Sequence, residues 1–433
     1  MASPIPIFVS AGEASGEHYG ALLIHAVQRR LAARGQSARF FGMGGSRMVS
    51  AGLEPVVRAE QMAVMGITEV LLHLPRIYSG FRRLRRAIQS TPPAVAILID
   101  FPDIHFRLAK QLHALGVPVL FFVSPQLWAW KKHRIRLVQK YVDEMLVIFP
   151  FEQQFYLDHG VRAEFVGHPL ADLPAPSVSR ADFAREHQLD PAATWIALLP
   201  GSRAKEIHAN LPEMLRAASL LIKEAGPAQF LIPLAPTLTA RQRAMVQQLV
   251  RQHGQNLTVR LIGDCAAEGT DVLRTVSRTA GGAEGAISRT AGAALHHARA
   301  SVVASGTATV EAALIGNPFV VVYRVSPLTF AIARRVVQVP HVAMANLIAG
   351  RRVVPELIQN DFTALNIVRQ LAPLLPDGPP RQSMMQELNG IRDRLGTVSI
   401  PQGESRMDAI DRVAVIALRH IPAAFPAPES VPS

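Results

Sequence analysis

The sequence predicts two consecutive doubly wound α/β domains facing across a cleft. Three observations carry that expectation. The chain has 433 residues, the length of two to three domains. Short, continuously apolar runs alternate with helix-period segments, as in parallel sheets covered on both faces. The alternation stops at a polar, Pro-rich stretch, Asp172-Leu-Pro-Ala-Pro-Ser-Val-Ser, with the composition of a linker, and then starts again.

Taken in order, Ile5–Ser10 is the first strand and Tyr19–Ala33 the amphipathic helix after it. Ala94–Asp100, Val117–Val123 and Met145–Phe149 are too short and too evenly apolar for solvent-facing helices and read as buried strands. Beyond the linker, Thr194–Leu199, Gln229–Pro233, Thr258–Ile262, Ala300–Ser305 and Phe319–Tyr323 repeat the pattern. The expected boundaries are 1–172 and 173–345 for the two domains, 346–420 for C-terminal helices returning to the first domain, and 421–433 for a disordered Pro/Ala-rich tail. Cys265–Gly292, rich in Gly, Ala, Thr and Ser and carrying Ser-Arg-Thr-Ala-Gly twice, reads as a mobile loop.

With 49% hydrophobic and 18% charged residues, a disordered or fibrous chain is excluded. The single cysteine, Cys265, excludes a disulfide scaffold and any multi-cysteine metal site, and fits a reducing cytoplasm. The net charge of +12 attracts anions: nucleic acid, lipid headgroups or phosphorylated substrates. No signal peptide is expected of Met1-Ala-Ser-Pro-Ile-Pro, and no run of about 18 apolar residues offers a membrane span. These properties point to a basic cytoplasmic protein associated peripherally with a membrane.

Ligands of doubly wound domains sit at the carboxyl ends of strands, and four strand–helix junctions carry polar chemistry. The first, Ala11-Gly-Glu13-Ala-Ser-Gly-Glu17, permits close backbone approach, while its acids suit sugar hydroxyls or a proton better than a phosphate. It reads equally as a tight turn with acids on the helix dipole. At the second, Asp100 closes a buried strand and is a candidate general base, although Asp100 and Asp103 could both cap the next helix. The third offers Gly201, Ser202 and Arg203, and the fourth Ser305, Gly306, Thr307, Thr309 and Glu311. Together they suggest a nucleotide diphosphate site, with Glu311 accepting ribose hydroxyls.

Pro75–Ile88 carries Arg76, Arg82, Arg83, Arg85 and Arg86, with Ile77, Phe81, Leu84 and Ile88 along one helix face. That pattern suits a basic amphipathic helix on an anionic membrane, or a core helix with a solvated basic rim. The apolar stretch around Met65 could grip acyl chains or fill core. Trp128 and Trp130, beside Lys131, Lys132 and Arg134, fit an interfacial belt, a stacking platform or core anchors. No metal-ligand spacing accompanies His296-His297, so neither metal nor cofactor is expected.

Taken together, these motifs resemble one family, the bacterial lipid-A-disaccharide synthases. The resemblance spans about residues 5 to 362 and rests on Ala11-Gly-Glu-Ala-Ser-Gly, Gly42-Met-Gly-Gly, Met65-Gly-Ile-Thr-Glu-Val, Ile99-Asp-Phe-Pro-Asp, Val123-Ser-Pro-Gln-Leu-Trp-Ala-Trp, Phe149-Pro-Phe-Glu, Val166-Gly-His-Pro, Leu199-Pro-Gly-Ser-Arg, Ser305-Gly-Thr-Ala-Thr-Val-Glu, and Asn346-Leu-Ile-Ala-Gly with Pro355-Glu-Leu-Ile-Gln. It implies two Rossmann-like halves of the GT-B type and an inverting, metal-independent glycosyltransferase at the inner membrane of a Gram-negative bacterium. The implied substrates are UDP-2,3-diacylglucosamine and 2,3-diacylglucosamine 1-phosphate. The products would be the β-1,6-linked lipid A disaccharide 1-phosphate and UDP. Asp100 would then be the base, with Glu13 as the alternative. Gly201, Ser202, Arg203, Ser305–Thr309, Glu311 and Asn346 would hold the nucleotide sugar. Met65, Ile77, Phe81, the arginines, Trp128 and Trp130 would meet acceptor and membrane.

The chain departs from the family pattern at Glu17 (usually Asp), His105 (more often Asn), Ala345 (usually Pro) and the longer Cys265–Gly292 connection. Oligomeric state stays open, a homodimer included. Two rival readings remain: another UDP-sugar enzyme, such as a UDP-N-acetylglucosamine epimerase or a different lipid-linked glycosyltransferase, and a nucleic-acid-binding protein. The latter gives no reason for acids at strand ends, so no nucleic-acid partner is expected.

Overall fold

The structure is a computed structural model and describes residues 3–59, 62, 67–130, 132–172, 176, 178–235, 238–263, 291–326, 329–331, 339–396 and 407–421. The chain divides into two compact units: Met1–Asp172 with Leu395–Ser433, and Leu173–Arg394.

In the first unit strands and helices alternate: β1 (Ile5–Ala11), α1 (Ala14–Ala32), β2 (Ala38–Gly44), α2 (Ser46–Ser50), β3 (Leu53–Arg58), α3 (Ile67–Ser90), β4 (Val95–Ile99), α4 (Pro102–Ala114), β5 (Val119–Phe122), α5 (Ile135–Tyr141), β6 (Glu144–Val147), α6 (Pro150–Leu157) and β7 (Ala163–Phe165). The seven strands pair in parallel in the order β3-β2-β1-β4-β5-β6-β7. Every residue of β4 and β5 is buried, which is why they read as unbroken apolar runs: helices cover both faces. Strand order reverses between β1 and β4, so their carboxyl ends flank the crevice where such sheets bind ligands.

The second unit repeats the plan with α7 (Arg180–Glu186), β8 (Thr194–Leu199), α8 (Ala204–Ala225), β9 (Ala228–Pro233), α9 (Ala240–His253), β10 (Thr258–Ile262), α10 (Ala293–His297), β11 (Ala300–Ala304), α11 (Thr307–Ile315), β12 (Phe319–Tyr323), α12 (Met344–Ala349), β13 (Glu356–Ile358), α13 (Ala364–Leu371) and α14 (Pro379–Leu395). Its six-stranded parallel sheet runs β10-β9-β8-β11-β12-β13, with the reversal between β8 and β11.

A last helix, α15 (Ala409–Arg419), belongs to the first unit. It buries Ile410, Val413, Ala414 and Ala417. Ala409 N–H donates to Asp172 Oδ2 at 2.9 Å, Arg412 pairs with Glu164 at 2.8 Å, and His420 bonds Glu144 at 2.9 Å. Residues 346–394 stay with the second unit. The mobile loop expected over Cys265–Gly292 lies outside the described residues apart from 291 and 292, and the tail expected over 421–433 apart from Ile421. Among the described residues no helix is long and apolar enough to cross a membrane.

Candidate active site

At the reversal in the first sheet stand Glu13, just after β1, and Asp100, just after β4. β1 and β4 are in register, Ala11 opposite Ile99, so the two turns are neighbours. Asp100 and Phe101 both adopt left-handed backbone, φ 52° and 55°, a conformation costing a non-glycine residue about 1–2 kcal/mol. The Phe101 ring lies over Gly12, where a Cβ would fall 2.4–2.8 Å from ring atoms. Glycine is required there.

Phe101 N–H donates to Asp100 Oδ1 at 2.8 Å, which orients the carboxyl. Burial, and then the charge of Glu13, push the Asp100 carboxyl up to about 6, against the stabilising Phe101 N–H. Glu13 is exposed and occupies the N-cap of α1 without a side-chain cap bond. Glu17 stands in the first turn of α1, as the helix-dipole alternative has it, whereas the capping alternative fails at the second turn. Phe101, with no cap bond, holds the N-cap of α4, and Asp103 pairs with Arg134 at 2.6 Å. Glu17 reaches across to accept Arg47 N–H at 2.9 Å, lying where a Cβ on Gly45 would sit.

The segment after β5 adjoins the Asp100 turn. Ser124 Oγ and Tyr156 Oη are 2.8 Å apart, and Trp128 Nε1 donates to Glu152 Oε1 at 3.0 Å. Phe149 N–H also reaches Glu152, at 3.3 Å. This carboxyl is 1% exposed, and burial pushes it up to about 8, so it stays protonated at neutral pH. Trp128 is half-buried and edge-on to Phe151, whereas Trp130 is 45% exposed.

In α3 the apolar face turns inward. Leu84 and Ile88 are buried, and Ile77 and Phe81 pack against the same core cluster as Met62. Arg76, Arg82, Arg83, Arg85 and Arg86 form the exposed face. Ile77 and Phe81 therefore face the core, while the arginines face outward together with Tyr78. Met65 lies outside the described residues.

In the second unit, both predicted loops fall at the β8/β11 reversal. Gly201 has φ 118°, and a Cβ there would meet Glu206 at 2.6 Å. Glu206 Oε2 accepts the N–H groups of Ser202 (3.2 Å) and Arg203 (3.3 Å), and Oε1 faces the Arg203 guanidinium at 3.5 Å. The donors expected to cradle a phosphate thus hold an internal carboxylate. Sequence reasoning missed Glu206, although an acid three residues after an N-cap position is a capping-box signal.

After β11, Gly306 and Thr307 are exposed at the start of α11, while Ser305 bonds Val342 O at 3.5 Å. Thr309 is fully buried and donates to Gly306 O at 2.7 Å, shaping the turn. Glu311 lies one turn on, its carboxyl pushed up to about 7 by burial. Asn346 is used up internally: it donates to Val354 O and Glu356 and accepts from Val353 and Val354 N–H. Its side chain fixes the 346–356 turn and has no bond left for a ligand. Among the described residues no cluster of three His, Cys, Asp or Glu is placed to hold a metal ion.

Solved structures with this architecture include the calicheamicin glycosyltransferase CalG4 (TM-score 0.53, 16% identity, covering 97% of this chain and 98% of that one). They also include UDP-GlcNAc 2-epimerase from Neisseria meningitidis bound to UDP-GlcNAc (TM-score 0.53, 13% identity, 96% and 99%). At such identities they show the fold alone, the two-sheet GT-B arrangement. Sequence relatives are closer. Lipid-A-disaccharide synthase of Acidobacterium capsulatum is 57% identical over 96% of both chains, and that of Koribacter versatilis 45% identical over 95% of this chain and 97% of its own. The profile of the lipid-A-disaccharide synthetase family matches residues 7–268 and 284–405. With that coverage, and with the motif residues gathered at two sheet reversals, the chain belongs to the lipid-A-disaccharide synthetase family.

Proposed function

We infer that this protein is the glycosyltransferase that joins two acylated glucosamines into the lipid A disaccharide. UDP-2,3-diacylglucosamine is the donor and 2,3-diacylglucosamine 1-phosphate the acceptor. One observation carries the chemistry: Asp100, oriented by the Phe101 N–H and pushed up to about 6. A general base works best with its pKa near the working pH.

In this reading Asp100 takes the proton of the acceptor 6-hydroxyl as that oxygen attacks the anomeric carbon. The C–O bond to UDP breaks on the opposite side, inverting the centre. The charge of Glu13 beside the base raises its proton affinity. Charge developing on UDP is met by the Arg203 guanidinium and the exposed N–H groups at the start of α11. Glu311 accepts ribose hydroxyls, which favours its ionised form. The exposed arginine face of α3 supports docking on an anionic membrane surface, with the enzyme peripheral to it.

The test is turnover of purified protein with both substrates in detergent and EDTA, read by mass spectrometry. Disaccharide 1-phosphate and UDP in equal amounts are expected. An epimerase of the same fold would convert the UDP-sugar without an acceptor, and that result would displace this reading.

A further inference from the structure

Behind Asp100 the structure holds a chain of directed hydrogen bonds that the reaction as drawn does not use. Ser10, near the end of β1, and His105, in the first turn of α4, are both fully buried. His105 Nδ1 lies within hydrogen-bond distance of the Asp100 carbonyl oxygen, and Nε2 lies 2.8 Å from Ser10 Oγ. A carbonyl only accepts, so Nδ1 carries a hydrogen. Burial pulls the imidazole down to about 4, so the ring is neutral and Nε2 is bare. Ser10 must therefore donate to it. The tautomer and the direction of the whole chain follow from these contacts.

The chain ends on a turn that would not hold itself. Two successive non-glycine residues sit in left-handed backbone, a state that persists only where its surroundings over-determine it. The Phe101 ring over Gly12 fixes one side of the turn. His105 fixes the other through its side chain, and its own N–H donates to Phe101 O at 3.2 Å.

We propose that His105 is a positioning residue. By donating Nδ1–H to the Asp100 carbonyl while accepting the Ser10 hydroxyl, it locks the Asp100–Phe101 turn and so fixes where the Asp100 carboxyl stands. This rests on the reading of Asp100 as the base. Asparagine at 105 places its Nδ2 where Nδ1 now sits but cannot reach Ser10, and leucine fills the space without a donor.

The experiment measures kcat and KM for both substrates from pH 5 to 8 in wild type, His105→Asn, His105→Leu and Asp100→Asn, with melting curves alongside. His105→Asn should keep kcat within about threefold, and His105→Leu should lose about 10–100-fold in kcat, as displaced catalytic groups do. In His105→Leu the KM values should stay near wild type, and the acid limb of the profile should move down as the carboxyl relaxes toward water. Wild-type kcat and acid limb in folded His105→Leu, with Asp100→Asn inactive, would overturn the proposal. Equal losses in the Asn and Leu variants would overturn the donor role. An active Asp100→Asn would remove the base reading instead, a separate result. If His105→Leu does not fold, His105→Asn decides alone, and a kcat below about a tenth of wild type at native melting temperature overturns the proposal. Nitrogen-15 spectra of labelled histidine add a readout independent of turnover. A protonated Nδ1 that does not titrate between pH 5 and 8 is expected, and an Nε2–H tautomer would contradict the lock.

Discussion

Asp100→Asn should kill the enzyme and strengthen its fold, and the size of the second effect follows from the structure. Asp100 moves from an ordinary 3.8 to about 6 on folding. At about 1.36 kcal/mol per pH unit, the ionised carboxyl then costs the native state about 3 kcal/mol, which solvent at its half-buried edge trims to about 2–3. The sign is set by linkage: the native state binds the extra proton, so stability present below pH 3.8 is lost as pH rises to about 6. Asparagine keeps an oxygen for the Phe101 N–H and carries no charge at any pH. The variant should therefore gain about 1 kcal/mol at pH 4.5 and about 2–3 at pH 7.5. For a unit of roughly 200 residues that is about 4–12 °C in melting temperature at the higher pH. Calorimetry at both pH values, beside a turnover assay expected to lose about 10²–10⁴-fold, checks the pair of effects. A variant no more stable than wild type at pH 7.5, or a gap that does not widen with pH, would refute the burial argument even if activity is lost.

Glu13→Gln removes the like charge beside Asp100 but leaves its burial, so the acid limb of kcat/KM should drop by about half a pH unit; an unmoved limb shows that the two carboxylates are not coupled. Trp128→Phe strips an indole donor from the buried Glu152 and should cost about 1–3 kcal/mol, read in denaturant melts. Gly201→Ala forces a side chain into positive φ and against Glu206, and isothermal titration should show UDP binding weaker by about tenfold. Reversing Arg82, Arg83, Arg85 and Arg86 to Glu removes about 1 kcal/mol of membrane attraction per residue, so sedimentation with anionic vesicles should fall while neutral vesicles serve as the baseline.

Strands built mainly of apolar residues were legible to the residue: Thr194–Leu199, Thr258–Ile262 and Phe319–Tyr323 are β8, β10 and β12. The strands not anticipated lack that signal. β2 carries Gly42 and Gly44, β3 is half exposed, and β7 and β13 have three residues each. The turns bearing Asp100, Glu13 and the two glycine-rich loops were visible because strand ends are where polar residues interrupt apolar runs. Their internal partners were not. Ser10 lies 95 positions from His105, Glu152 lies 24 from Trp128, and only folding brings each pair together. Periodicity gave α3 an apolar face without revealing which side of the chain that face meets, and it meets the core.

The fold does not choose between the two activities it resembles, since an epimerase and a glycosyltransferase superpose on it equally well. The choice lies in what stands at the sheet reversals. A doubly wound sheet places any group at those points at little cost, and glycine-bearing loops like those after β8 and β11 are open to any UDP-sugar chemistry. The β1/β4 reversal is more demanding. It holds two carboxylates close enough for one to raise the proton affinity of the other, on a turn strained by two left-handed residues and a ring laid across Gly12. Such an arrangement works against stability and persists where function repays it. In the proposed reading that function is accepting a proton from an incoming hydroxyl near neutral pH, and an acceptor hydroxyl is what a transferase has and an epimerase lacks.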